Sequence, residues 1–354
     1  MSIRVLVVDD SALFRKLLQQ KLEKEDDIRV VGAAGDAMEA RSMIKALDPD
    51  VVTLDIEMPG MDGLSFLEKI MTLRPTPVIV VSGSAQEGAM ATAKALQLGA
   101  THCYAKSGVG RTIRDDDGGE LARLVREAAA LDFSSGGRTA GATGIAQTNP
   151  LASVPELDWK SSPSLIAIGS STGGVEALHE LLADFPSNCP PTVIVQHING
   201  NFSKAIAASL DQNSPARVMT AHHDLKLEPG IVAMAPDNSK HLTIAPSVND
   251  GFRCVLRSDD HVSGHRPSVD VLFDSVATYA GQGATGILLT GMGQDGAKGL
   301  LAMAKAGART IAQDEASCVV FGMPRAAIAL GAAREILPLE SIAGCTFAYR
   351  RKAA

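Results

Sequence analysis

Aromatic residues are scarce, with one Trp, three Tyr and nine Phe in 354 residues, and there is no basic excess, the formal net charge being −7. Together these absences exclude a nucleic-acid binder, which needs a basic face to meet phosphates. Long apolar runs are missing as well. Each strand-like run is cut by Gly, Asp or Pro well short of the roughly 20 residues a membrane helix requires, so no membrane insertion is expected. The five cysteines, Cys103, Cys189, Cys254, Cys318 and Cys345, are odd in number, scattered, and form no C-x-x-C pair. That excludes a disulfide framework and a zinc site and points to a reducing, cytoplasmic compartment. At the amino terminus the apolar run Val5 to Val8 ends in Asp9-Asp10 instead of continuing into an export signal.

What is present is a repeated α/β grammar. The chain is longer than one hydrophobic core usually organises, so two domains are expected. Over residues 1–131, β-branched runs at Val5 to Val8, Val51 to Leu54 and Val78 to Val81 alternate with helical periods at Ala12 to Glu25, Ala37 to Leu47 and Leu64 to Leu73. Such βαβ wiring predicts a parallel sheet with helices on both faces. Residues 132–162 are rich in Ser, Gly, Thr and Ala without periodicity, a composition that cannot offset its ordering entropy by burial, and they read as a flexible linker. Over 163–350, apolar runs resume at Leu165 to Ile168, Val193 to Val195, Ile231 to Ala235 and Gly286 to Thr290, with helix-like stretches at Val175 to Ala183 and Gly299 to Lys305. A second α/β domain follows. Its segment Leu242 to Leu256, with Asn249-Asp250-Gly251 as a turn, predicts a β-hairpin.

Three carboxylates fall at strand ends in the first domain: Asp9 and Asp10 after the first run, Asp55 after Val51 to Leu54. A parallel sheet gathers such ends at its carboxyl edge, where α/β folds bind ligands. Clustered carboxylates repel, so they hold a hard cation such as Mg2+ or keep raised pKa values. Ser82, after Val78 to Val81, and Lys106, after Cys103-Tyr104-Ala105, add a hydroxyl and an ammonium at the same edge, groups suited to a phosphoryl oxygen. An Asp at a strand end is ordinarily a cap, but five such residues at four strand ends argue against that reading here.

These residues, with Asp55-Ile56-Glu57-Met58-Pro59-Gly60-Met61-Asp62-Gly63, resemble the signature of response-regulator receiver domains over nearly all of 1–131. The resemblance implies a flavodoxin-like fold and phosphorylation of Asp55 by a histidine kinase. It further implies Mg2+ held by Asp9, Asp10, Asp55 and the Glu57 carbonyl, with Ser82 and Lys106 sensing the phosphoryl group. Receivers usually carry Pro after the lysine and an aromatic residue three positions before it; this chain has Ser107 and Cys103, and a long segment, Gly108 to Gly119, before the last helix.

In the second domain, Leu165-Ile166-Ala167-Ile168-Gly169-Ser170-Ser171-Thr172-Gly173-Gly174 reads as strand, tight turn and helix start. A phosphate loop would need Gly-Lys-Ser/Thr and a dinucleotide loop G-x-G-x-x-G, and neither is there. A nucleophile turn survives by elimination, with Ser170 and Ser171 as rival hydroxyls. Two further strand ends strengthen it: Val193-Ile194-Val195-Gln196-His197 ends in an imidazole, and Leu288-Leu289-Thr290-Gly291-Met292-Gly293-Gln294-Asp295 in an acid within a glycine loop. Singly, these residues read as a helix cap, a satisfied histidine and a turn former; together at one sheet edge they form a serine relay. The order Ser, His, Asp and the lack of G-x-S-x-G set it apart from the α/β-hydrolases.

The segments Gly169 to Gly174, Gln196-His197, Gly264-His265-Arg266-Pro267-Ser268-Val269-Asp270 and Gly291 to Gly296 resemble those of the chemotaxis protein-glutamate methylesterases. The resemblance covers about residues 163–345 and implies a Rossmann-like domain with Ser171 as nucleophile, His197 as base, Asp295 orienting it and the Met292 backbone N–H in an oxyanion hole. It implies a monomeric cytoplasmic enzyme that demethylates, and deamidates, methylated chemoreceptors, with the chemotaxis kinase as phosphodonor and no cofactor for the ester chemistry. The segment Ala235-Pro236-Asp237-Asn238 departs from the family's usual glycine pair. His222 and His223, adjacent on a strand-like segment, are expected to face opposite ways and share no metal, and Cys254 and Cys318 read as small core residues.

Overall fold

The computed structural model describes residues 2–58, 63–83, 86–106, 119–131, 164–198, 202–248 and 251–348. It divides into two compact units, Met1–Gln147 and Thr148–Ala354. The expected linker at 132–162, the segment Pro59 to Asp62, Ser107 and most of Gly108 to Gly119 lie outside the described residues.

The first unit runs β1 (Ile3–Val8), α1 (Ala12–Leu22), β2 (Ile28–Ala34), α2 (Ala37–Leu47), β3 (Val51–Asp55), α3 (Gly63–Leu73), β4 (Val78–Gly83), α4 (Gln86–Gln97), β5 (His102–Lys106) and α5 (Glu120–Ala129). Its strands pair in the order β2-β1-β3-β4-β5, all parallel, the flavodoxin-like arrangement. Central strands buried on both faces explain why the run Val5-Leu6-Val7-Val8 is wholly apolar and not alternating. Two of its helices begin where a side chain satisfies free backbone donors: Ser11 accepts from the Phe14 N–H at the start of α1, and Asp36 from the N–H groups of Met38 and Glu39, both at 2.8 Å, at the start of α2.

The second unit opens with β6 (Leu165–Ser170), α6 (Gly174–Ala183), β7 (Thr192–Gln196), α7 (Ser203–Asn213), β8 (Arg217–Thr220), β9 (Lys226–Leu227) and β10 (Ile231–Met234). It continues through β11 (His241–Pro246), β12 (Phe252–Arg257), α8 (Val269–Tyr279), β13 (Ala284–Leu288), α9 (Ala297–Lys305), β14 (Arg309–Gln313), α10 (Met323–Ala329), β15 (Glu335–Leu337) and α11 (Leu339–Ala348). Seven strands form a parallel sheet in the order β15-β14-β13-β6-β7-β10-β8. The chain enters at β6, builds one side and then crosses to β13 on the other, so β6 sits where strand order reverses, the position that opens a crevice at the carboxyl edge. Phe273 and Leu272 of α8 are fully buried in the same core as Leu165, Leu288 and Leu300.

The hairpin is present as β11 and β12, paired from His241↔Arg257 to Pro246↔Phe252, with Gly251 in the left-handed region. Asn249 and Asp250 of its turn lie outside the described residues. A two-residue strand, β9, adds a third member to that sheet, too short for any periodicity to reveal. His222 and His223 follow β8 and lie on no strand, His223 opening a turn, and the His223 ring accepts from the Leu256 N–H at 3.2 Å. Cys189 and Cys254 are buried, and burial pushes their thiols up to about 11 and about 12.

Candidate functional site

In the first unit the strand ends meet as expected at one edge. One ligand oxygen each from Asp9, Asp10 and Asp55 lies within 4.8 Å of the others, Asp9 and Asp55 being buried and Asp10 exposed. The Lys106 ammonium sits 2.8 Å from Asp9 Oδ2 and 2.7 Å from Asp55 Oδ2, above the Phe14 ring at 4.8 Å. Burial pushes the Asp9 carboxyl up, only partly opposed by Lys106. Burial also works against the Lys106 charge, but the two carboxylates outweigh it and raise its pKa. The Ser11 N–H donates to Asp9 Oδ1 at 2.9 Å and the Glu57 N–H to Asp55 Oδ1 at 3.0 Å, which turns the remaining oxygens toward Lys106. Ser82, on β4 one residue beyond the position paired with Asp55, is buried, and its hydroxyl is within 3.2 Å of the Gly83 and Gly88 carbonyls, to which it can donate.

Among the described residues, the Lys106 ammonium is the one partner of Asp9 Oδ2. Two buried carboxylates, Asp9 and Asp55, share the Lys106 ammonium, and the exposed carboxylate of Asp10 lies beside them. An all-oxygen set with surplus negative charge fits a hard divalent cation.

In the second unit the paired position Ser170↔Gln196 ends the contact between β6 and β7, so Ser171 and His197 are the next residues on adjacent parallel strands. The His197 N–H donates to the Ser170 carbonyl at 3.0 Å, and the Ser171 N–H to the Thr290 carbonyl at 3.0 Å, which draws in the loop after β13. That loop comes close because residue 291 is glycine: a Cβ there would lie 2.7 Å from Ser171 Cβ and 2.4 Å from Met323 Sδ. The Met292 N–H, one residue on, donates no hydrogen bond among the described residues.

The loop carries Asp295 to His197, whose Nε2 is 2.8 Å from Asp295 Oδ2. The carboxylate is held from a second direction by the start of α8. Ser268 Oγ donates to Asp295 Oδ1 at 2.8 Å, the Val269 N–H to Oδ2 at 2.7 Å and the Asp270 N–H to Oδ1 at 3.1 Å. A helix amino terminus favours negative charge, so α8 supports the ionised acid. Burial works against ionisation of Asp295, but the bond and charge of His197, with the Val269 N–H and Ser268 hydroxyl, outweigh it and hold the carboxyl down at about 2. Facing an ionised acceptor, Nε2 carries the proton, and Nδ1 is the basic nitrogen. His197 Nδ1 is buried and has no hydrogen-bond partner among the described residues.

The two rival serines differ. Ser170 is fully buried and donates to Gln196 Oε1 at 2.6 Å, whereas Ser171 is half-buried and its hydroxyl makes no hydrogen bond among the described residues. No hydrogen bond joins Ser171 to His197; the structure brings their backbones together, and neither the hydroxyl nor Nδ1 has a partner among the described residues.

Three participants belong to the resembling segments, but the sequence assigns them no role. Gln196 donates through Nε2 to the carbonyls of Ser171 and His197, each at 2.8 Å. Ser268 caps α8 and binds Asp295. His265 stacks on His197 with ring centroids 3.8 Å apart and planes 5° apart. A Ser before an apolar helical run is an N-cap signal, but nothing local to it says that the helix aims at Asp295.

Family models match in two places: residues 166–345 fit the CheB methylesterase model and residues 5–115 the response regulator receiver domain. A protein-glutamate methylesterase/protein-glutamine glutaminase of Caulobacter vibrioides is 52% identical over 96% of this chain and 96% of its own length. Another, of Agrobacterium fabrum, is 50% identical over 96% of this chain and 94% of its own. The crystal structure of the Thermotoga maritima CheB methylesterase catalytic domain, 34% identical, covers 53% of this chain and 98% of that chain at a TM-score of 0.51. With a strand order that reverses at β6 and a His197–Asp295 pair at that edge, the chain belongs to the CheB protein-glutamate methylesterases, the family that joins a receiver domain to a methylesterase domain.

Proposed function

We propose that the protein hydrolyses glutamate γ-methyl esters on the cytoplasmic helices of chemoreceptors, releasing methanol, and that phosphorylation of Asp55 controls the reaction. The observation that carries the ester chemistry is the oriented imidazole: Nε2 bound to an ionised, buried Asp295 and Nδ1 without a partner among the described residues, beside the Ser171 turn. A base so held is ready to take a proton on one nitrogen only.

In this reading the Ser171 oxygen adds to the ester carbonyl as its proton passes to His197 Nδ1, and Asp295 stabilises the imidazolium. The Met292 N–H, free of other bonds, donates to the developing oxyanion. Collapse breaks the bond to methoxide, which leaves as methanol with the proton from His197. Water then enters by the same route, freeing the glutamate carboxylate and Ser171. A primary amide in place of the ester loses ammonia, so selected receptor glutamines are substrates as well.

In the first unit, Asp55 accepts a phosphoryl group from the chemotaxis histidine kinase. Asp9, Asp10, Asp55 and the Glu57 carbonyl would hold Mg2+, which would offset the charge of the phosphoryl oxygens. Lys106 and Ser82 are the cation and hydroxyl available to sense it. Among the described residues no helix is long and apolar enough to cross a membrane, in keeping with a substrate presented by the receptor's cytoplasmic part.

The test is methanol release from methylated receptor membranes. It is expected for the parent protein and lost in Ser171→Ala, while Ser170→Ala retains it. Methanol release by Ser171→Ala at the parental rate would overturn the esterase reading.

A further inference from the structure

We infer that His265 is a positioning residue for His197: its imidazole, lying flat on the base, sets the plane in which His197 Nδ1 faces the nucleophile turn. The inference rests on the serine-relay reading above and adds a residue that acts through the base.

The need for such a residue follows from imidazole geometry. Nε2 lies close to the extension of the Cβ–Cγ bond, about which the ring turns, whereas Nδ1 swings through a wider arc. The bond from Nε2 to Asp295 at 2.8 Å therefore restrains ring rotation weakly. That rotation is soft in histidine, its second side-chain torsion being broad. Nδ1, with no partner among the described residues, adds no restraint of its own. A second ring 3.8 Å away and within 5° of parallel supplies one, because turning His197 would drive an edge into His265 or open the contact.

A platform helps only if it is itself rigid, and the segment around His265 is pinned from both sides. Val262 and His265 exchange two backbone hydrogen bonds, at 3.0 and 2.9 Å. Between them Ser263 and Gly264 both lie in the left-handed region, with φ of 54° and 81°, as a tight hairpin turn requires. Glycine accepts this freely, but Ser263 does so at a cost. On the far side, Arg266 donates to the carbonyls of Asn238 at 3.2 Å and Asp259 at 3.1 Å. The Ser268 N–H donates to His241 Nδ1 at 3.1 Å, and His241 Nε2 donates to the Asp260 carbonyl at 2.8 Å. Ser268 then binds Asp295 itself, so one stretch of chain orients both the acid and the ring of the base.

The test uses the full-length protein with His265→Ala, His265→Leu and His265→Phe. Each is assayed for methanol release and for the rate at which a fluorophosphonate labels Ser171, with thermal unfolding as the folding control. Loss of the platform in the Ala and Leu variants is expected to lower kcat and the labelling rate roughly tenfold with KM unchanged. Phe, a flat ring without a titratable nitrogen, is expected to restore most of both. Equal rates in Ala and parent, or a Phe variant no better than Leu, would overturn the inference. The labelling arm separates the two readings: if the parent releases no methanol yet labels with this pattern, the substrate assignment falls and the role of His265 stands. If the parent does not label at Ser171, the relay itself falls, and His265 with it.

Discussion

The side-chain amide of Gln196 donates to the main-chain carbonyl of Ser171 at 2.8 Å, and with its second hydrogen it holds the carbonyl of His197 at the same distance. One buried carboxamide thus clamps the backbone of hydroxyl and imidazole together, while its oxygen accepts from Ser170. The amide orientation is settled by its partners, since two carbonyls can only accept.

Gln196→Glu is therefore expected to destabilise the protein by about 2–4 kcal/mol at pH 7, since an ionised carboxylate cannot donate and would face two carbonyls. Denaturant unfolding measures the loss. Ser170→Ala removes only one donor and is expected to cost about 1 kcal/mol.

The acids around α8 have opposite linkage. Asp295, held down at about 2, contributes stability that is present above the unfolded carboxyl's pKa of about 4 and lost as pH falls toward 2. Burial, with the neighbouring charges of Asp295 and Asp274, pushes the Asp270 carboxyl up to about 6 despite the hydrogen bond from the Gly299 N–H. Between about pH 4 and 6 the folded protein keeps a proton there that the unfolded chain releases, so stability falls as pH rises through that window. Asp270→Asn keeps an oxygen acceptor for Gly299 and is expected to raise stability at pH 8, by up to roughly 3 kcal/mol, and not at pH 4. Thermal unfolding at both pH values checks the sign.

The acidic edge of the first unit is expected to make stability respond to Mg2+. At tenfold its dissociation constant, the ion is expected to stabilise the parent by about 1.4 kcal/mol. Asp9→Asn removes a buried carboxyl whose pKa burial has raised, so it should be more stable than the parent without metal and insensitive to Mg2+. Calorimetry of the full chain with and without the ion distinguishes the two.

Phosphoryl control is tested by Asp55→Asn, which keeps the buried site's shape but cannot form an acyl phosphate. A small-molecule phosphodonor is expected to raise methanol release by the parent and leave the variant at its basal rate. Equal activation of both would place control elsewhere.

Much of this was legible in the chain itself. Apolar runs ending in Asp9, Asp55, Lys106, Ser171 and His197 declare strands, and parallel wiring sends their ends to one edge of each sheet, because βαβ crossovers leave little choice. Periodicity could not reveal β9, two residues long, nor distinguish Ser170 from Ser171, since alternation only says that they face opposite ways.

The residues that can donate, accept or carry charge, and the sheet edge they reach, were determined by the sequence alone, for strand alternation and crossover handedness are local and chain-order properties. Tertiary structure decided which atoms meet. That Asp295 stays ionised while Asp270 resists, that Gln196 spans two strands, and that His265 lies on His197 all depend on groups 25 or more residues apart in the chain or on the burial around them. Desolvation and hydrogen-bond direction arise only once the fold has excluded water and fixed those distances.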